Sequence, residues 1–228
     1  MILKKEFYER ETITVAKQLI GKKLTRKIKN LNLTGIITET EAYRGRDDPA
    51  SHAATNLTNR NQIMFGPVGM SYVYFTYGMY FMLNVVAKSK KQNAGAVLIR
   101  GIYPQDGIKI MIKNRGMKDI NKITNGPGKL TMAMNISMKE NNLNLTKKSS
   151  IYISEGIIPK KINKSPRIGI TKATDKNGIL VLCQKTIFDL YRHLLESKEE
   201  NVQVYDSNPF LTSIQQQQSL QRQKQQYR

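Results

Sequence analysis

Residues 39–48 read ETEAYRGRDD and residues 64–87 read MFGPVGMSYVYFTYGMYFMLNVVA, with His52 in the polar loop between them. Glu39, Glu41 and Tyr43 alternate, so in a regular strand they share one face. The pattern predicts a strand over 34–43 that carries Glu41 near its end. Residues 72–75 and 80–87 read as paired strands around Thr76, Tyr77, Gly78 and Met79, where Gly78 supplies the permissive backbone of a tight turn. That pairing leaves Tyr77 at the exposed tip, a position for which core packing offers no reason. Carboxylates, ring faces and a wedge-like hairpin so close together point to chemistry on a base in a nucleic acid.

The composition agrees. Lys and Arg outnumber Asp and Glu 37 to 17 in 228 residues, a net charge of +20. Such an excess asks for a polyanionic partner, nucleic acid or an acidic membrane surface, and the aromatics beside the charge favour nucleic acid. The length suits one hydrophobic core and one domain. A single cysteine, Cys183, excludes an intramolecular disulfide and fits a reducing, cytoplasmic setting. One cysteine and two histidines also exclude an ordinary zinc finger or an iron–sulfur cluster. No apolar core of a secretory signal is visible at the N-terminus, so secretion is not expected. The apolar run 68–87 is broken by Gly69, Thr76, Gly78 and Asn84, which argues against a membrane span.

Outward from this centre, Val15, Ala16, Leu19 and Ile20 lie at helical spacing, with Thr12 as the expected N-cap and Gly21 past the end. Strands are predicted over 22–28 and 34–43, joined by a turn of Lys29, Asn30, Leu31 and Asn32. Residues 44–62 form a long polar loop in which Arg44, Arg46 and Arg60, with Thr55, Asn56, Thr58, Asn59 and Asn61, suit phosphate contact. A solvated loop is the plainer alternative. A strand over 94–102 carries Arg100, and an Arg ending a buried strand is usually partnered by a carboxylate.

Further on, residues 107–116 read as a helix closed by Gly116. The segment GPGK at 126–129 has glycines before a helix, which can offer N–H groups to phosphate. By itself that is a weak signal. Late strands are predicted at 151–153 and 167–170, and a helix at 186–195. Residues 196–228 are polar and Gln-rich and read as a disordered tail after a domain of residues 1–195.

ETEAYRG (39–45), His52, NRNQIMF (59–65), YVYFTYGMYFMLN (72–84), AVLIR (96–100), NGPGKL (125–130) and RIGI (167–170) resemble, in this order, the alkyladenine (3-methyladenine) DNA glycosylase family. The resemblance runs to about Asn177. It implies a single mixed α/β (α+β) domain, a curved antiparallel sheet with flanking helices and a protruding, DNA-inserting β-hairpin. It implies a monofunctional DNA repair enzyme, monomeric, without cofactor or metal and without membrane contact. The partner would be double-stranded DNA containing damaged purines, so the protein would sit on the nucleoid when bound. Family substrates are 3-methyladenine, 7-methylguanine, hypoxanthine and ethenoadenine.

Residue by residue, the resemblance gives Glu41 the general-base position and Arg100 the partner that orients the attacking water. Tyr43, His52 and Tyr74 take the stacking positions, and Asn84 the position that rejects the 2-amino group of guanine. Tyr77 is the wedge that fills the hole left by the extruded base. Arg60, Met64 and Lys129 join it as DNA contacts, and NGPGKL opens a helix near the site.

Two other classes share some of these features. A non-catalytic basic nucleic-acid-binding protein would have the charge and the tyrosines, with no reason for Glu41 and Arg100 beside the rings. A metal-dependent nuclease would gather Glu39, Glu41, Asp47 and Asp48.

Overall fold

The computed structural model describes residues 1–165 and the strand Ile179–Leu182, all within one compact unit spanning Met1–Ile187. The strand expected at 167–170, Cys183, the helix expected at 186–195 and the Gln-rich tail from 196 lie outside the described residues. In chain order the elements are α1 (Lys5–Tyr8), α2 (Thr12–Leu19), β1 (Lys23–Ile28), β2 (Leu31–Arg44) and α3 (Gln62–Phe65). Next come β3 (Ser71–Thr76), β4 (Tyr80–Val86), β5 (Gly95–Pro104), α4 (Ile108–Arg115), α5 (Ile120–Ile123) and α6 (Pro127–Ala133). Three short strands follow: β6 (Ile151–Ser154), β7 (Ile162–Ser165) and β8 (Ile179–Leu182).

The strands form one curved antiparallel sheet in the order β3-β4-β5-β2-β1-β6. At 14 residues β2 is its spine. One edge of β2 pairs along β5, and the other pairs first with β1 and then, at Glu39–Glu41, with β8. This is the mixed α/β architecture expected, with helices against the sheet. No helix of the described residues is long and apolar enough to cross a membrane.

Two local expectations are corrected. The β1–β2 turn is only Lys29 and Asn30, because Ile28 already pairs with Leu31 and Lys27 with Asn32. Lys29 takes the left-handed conformation (φ 52°) that so short a connection demands. The second correction concerns α2. Thr12 is not its cap; Glu11 is, its carboxylate accepting from Thr14 N at 2.9 Å. Thr12 is drawn into the first turn because its hydroxyl satisfies the buried carbonyl of Ala87 at 2.9 Å.

Burial follows the periodicities. Val15, Ala16 and Leu19 of α2 bury their stripe against the sheet, and Thr40 of β2 donates to Ala16 O at 3.0 Å across that contact. Leu24, Ile37, Val73, Leu83, Val97 and Ile99 continue the same core. A second, smaller apolar cluster, containing Met64, Tyr72 and Ala96, lies under the loop that follows β2. It is the floor of the site.

Candidate active site

Three neighbouring strands turn one face toward a cavity of about 310 Å³, within the range of small-ligand sites. Strand alternation decides which side chains reach it. Tyr72, Tyr74 and Thr76 of β3 line it, as do Met82 and Asn84 of β4 and Leu98 and Arg100 of β5. Tyr43, at the end of β2, and His52, from the following loop, complete the ring-bearing wall.

The carboxylates stand on the β2 side. Arg100 donates from Nε to Glu39 Oε1 at 2.6 Å and from Nη1 to Glu41 Oε2 at 2.8 Å. A break in the β2–β5 register at Ile37–Thr40 does not separate the two acids, and both reach the same guanidinium. The Glu41 side chain is wholly buried, and Arg100 is the member of the cluster that faces the cavity. Burial works against the charge of Arg100. The hydrogen bonds and charges of the two glutamates outweigh it and raise its pKa. The sequence expectation of a carboxylate partner for this buried Arg is met twice.

Opposite lies an aromatic corner. The His52 ring meets Tyr74 edge-on at 4.7 Å between centroids, and its Nδ1 is 2.9 Å from the Tyr72 hydroxyl. Burial, and then the nearby Arg60 guanidinium, lower the His52 pKa to about 4, so at neutral pH the ring is uncharged. Burial pushes Tyr72 up to about 12 against the opposing influence of Arg60. It raises Tyr74 as well, helped by the neighbouring Tyr72. All these rings remain neutral, suited to stacking and hydrogen bonding.

Asn84 is buried in the wall, its amide held by the carbonyls of Tyr72 at 3.0 Å and Met82 at 3.5 Å. Tyr77 sits at the mouth and is 74% exposed. It and Gly78 both take positive φ (52° and 68°), the turn geometry that joins β3 to β4.

Not every expected residue reaches open surface. Met64, expected as a DNA contact, is 1% exposed and forms part of the cavity wall and the apolar floor. Lys129 donates to Asn125 at 2.9 Å in the first turn of α6. That helix opens beside the cavity, where Gly128 packs so tightly on Tyr80 that a Cβ would come within 2.9 Å of its ring, and Pro127 thereby joins the wall. Arg60 is exposed and places its guanidinium carbon 4.8 Å from the Tyr74 centroid.

The carboxylates named for a nuclease do not converge. Asp47 pairs with Arg44 at 2.7 Å, and Asp48 accepts from the backbone of Arg44 and Ala50. Among the described residues no three His, Cys, Asp or Glu side chains are grouped to hold a metal ion.

Tyr72 was missed as a site residue. Its signal was available, since it alternates with Tyr74 and pairs across the hairpin with Asn84.

The cleft is walled by aromatic rings and buried polar groups in a chain of charge +20. The class it defines is an enzyme that excises bases. The chain belongs to the methylpurine-DNA glycosylase family, whose model matches residues 6–185, beyond Asn177 where the motif resemblance stops. It is therefore a DNA repair glycosylase. It is similar to proteins provisionally named 3-methyladenine DNA glycosylase in several bacteria. The one from Prosthecochloris aestuarii is 44% identical over 174 residues, 75% of this chain and 83% of that protein. The one from Ehrlichia chaffeensis is 47% identical over 178 residues, 77% of this chain and 89% of the relative. A Clostridium perfringens relative is 42% identical over 192 residues, covering 79% and 93% of the two chains.

Proposed function

We propose that this glycosylase extrudes an alkylated or deaminated purine from duplex DNA and hydrolyses its N-glycosidic bond by direct attack of water. The product is an abasic site in an uncut strand. The observation that carries the reading is the joint hold of Arg100 on Glu39 and Glu41 at the wall of an aromatic cleft.

Chemistry on a paired base requires that it leave the stack. Tyr77 is exposed at the hairpin tip, where it can enter the space the base vacates and recover part of an unstacking cost of a few kcal/mol. Tyr43, His52 and Tyr74 supply the faces and edges that receive the extruded purine. Asn84, whose amide is held by two backbone carbonyls, is assigned the rejection of an exocyclic 2-amino group.

Departure of the base leaves positive charge on the sugar. Glu41, buried beside Arg100 in the free protein, then acts in two ways: it accepts the proton of a water admitted to its carboxylate with the DNA bound, and its negative charge stabilises the oxocarbenium-like transition state. At about 4 Å and an effective dielectric near 20 such an attraction is on the order of 4 kcal/mol gross. If it arises only in the transition state it is worth nearly three decades of rate, by roughly 1.4 kcal/mol per decade. Arg100 holds the carboxylate and presents its own N–H groups toward the water. Among the described residues no lysine lines the cleft, which favours water over a covalent amine as nucleophile.

The test is a duplex with a single hypoxanthine, incubated with the protein in EDTA and then split, with alkali added to one half. Strand breaks only in the alkali-treated half support a monofunctional glycosylase. Cleavage without alkali would indicate lyase or nuclease chemistry, and no base release at all would leave only binding.

A further inference from the structure

We infer that Arg60 sets the charge preference of the cleft, disfavouring cationic alkylated purines relative to neutral deaminated ones. The inference rests on the base-excision reading above and concerns its substrate class. A purine alkylated on a ring nitrogen in DNA, such as 7-methylguanine, carries a full positive charge, whereas hypoxanthine carries none. A bare cleft of Tyr faces would draw the cation more strongly. Tyr74 is not bare. The Arg60 guanidinium, outside the residues that line the cavity, lies 4.8 Å from the centroid of Tyr74, so a resident cation already engages the quadrupole of a ring that a cationic base would use.

The two arginines beside the cleft differ in their charge balance. Arg100 is matched by two carboxylates, Glu39 and Glu41. Arg60 forms no ion pair with a carboxylate among the described residues. Its field is felt on His52, which it helps keep neutral. A neutral base can share Tyr74 with Arg60 as a further layer of the stack. A cationic base meets repulsion until Arg60 moves away. Because Arg60 is exposed and borne on a loop, that movement is open to it, and the outcome is a graded preference.

The rival role for Arg60, a phosphate contact, makes a different forecast. Losing a phosphate contact weakens every lesion duplex alike. The experiment therefore measures single-turnover excision of 7-methylguanine and of hypoxanthine from matched duplexes, at saturating protein so that DNA affinity drops out. Wild type, Arg60→Gln and Arg60→Lys are compared. The expected result is that Arg60→Gln raises the 7-methylguanine to hypoxanthine rate ratio about tenfold, as loss of one cation–ring competitor implies. Arg60→Lys, which keeps the charge, should stay near the wild-type ratio. A wild type active on both lesions, with a ratio unchanged within twofold in Arg60→Gln, overturns the inference and leaves the base-excision reading standing. A wild type that releases neither base overturns both.

Discussion

Arg100 and Glu41 meet at 2.8 Å between adjacent strands, the carboxylate wholly buried and the guanidinium facing the cleft. Their contact ties β2 to β5, and the same guanidinium also holds Glu39 at 2.6 Å. Removing one partner of a buried ion pair leaves the other insufficiently compensated, typically at a cost of about 3–5 kcal/mol. Arg100→Met should therefore destabilise the protein by about that amount in urea unfolding. Adding Glu41→Gln to it should restore part of the loss, because the buried charge is then gone. A double variant no more stable than Arg100→Met would show that the pair does not govern local stability.

His52 gives the fold a pH dependence of known sign. Its pKa falls from the ordinary 6.5 to about 4 on folding, so between these values the unfolded chain binds the proton and the folded one does not. Stability then rises with pH across that window, and is lost as pH falls from about 6.5 toward 4. Thermal unfolding of wild type and His52→Gln between pH 7 and pH 4.5 checks it. The wild-type curve should fall more steeply than that of the variant. Parallel curves would mean the ring titrates alike in both states.

Much of this was legible in the sequence because it follows from period and chemistry. Alternation placed Glu39 and Glu41 on one face, and the buried strand end of Arg100 called for a carboxylate. Tyr77 beside Gly78 announced a hairpin tip. What escaped depended on tertiary competition. Thr12 has the chemistry of an N-cap, but Ala87 O, distant in sequence, takes its hydroxyl. Met64 follows the polar loop with nothing in its neighbours to show that it would bury in the cavity wall. The stacking of Arg60 on Tyr74 joins a loop to a strand and has no local signature at all.

Tyr77 separates a wedge from a packing residue. Being 74% exposed, it should contribute little to stability, and Tyr77→Ser should leave the melting temperature nearly unchanged. Base extrusion should suffer by about 1–3 kcal/mol, the range of base–aromatic stacking. The deficit in single-turnover excision of hypoxanthine should be largest in a stable pair, smaller in a mismatch and least in single-stranded DNA, where extrusion is already easy. An equal deficit in all three, with a lowered melting temperature, would reduce Tyr77 to hairpin packing.

The central claim is that Glu41 drives hydrolysis of the glycosidic bond. Glu41→Gln keeps the shape and a hydrogen-bonding oxygen for Arg100, yet removes both the proton acceptor and the negative charge. The decisive measurement is single-turnover release of hypoxanthine by this variant, with its affinity for the lesion duplex measured in parallel. The expected result is affinity close to wild type and excision slower by about three decades or more. Excision near the wild-type rate would contradict it and remove Glu41 from the mechanism.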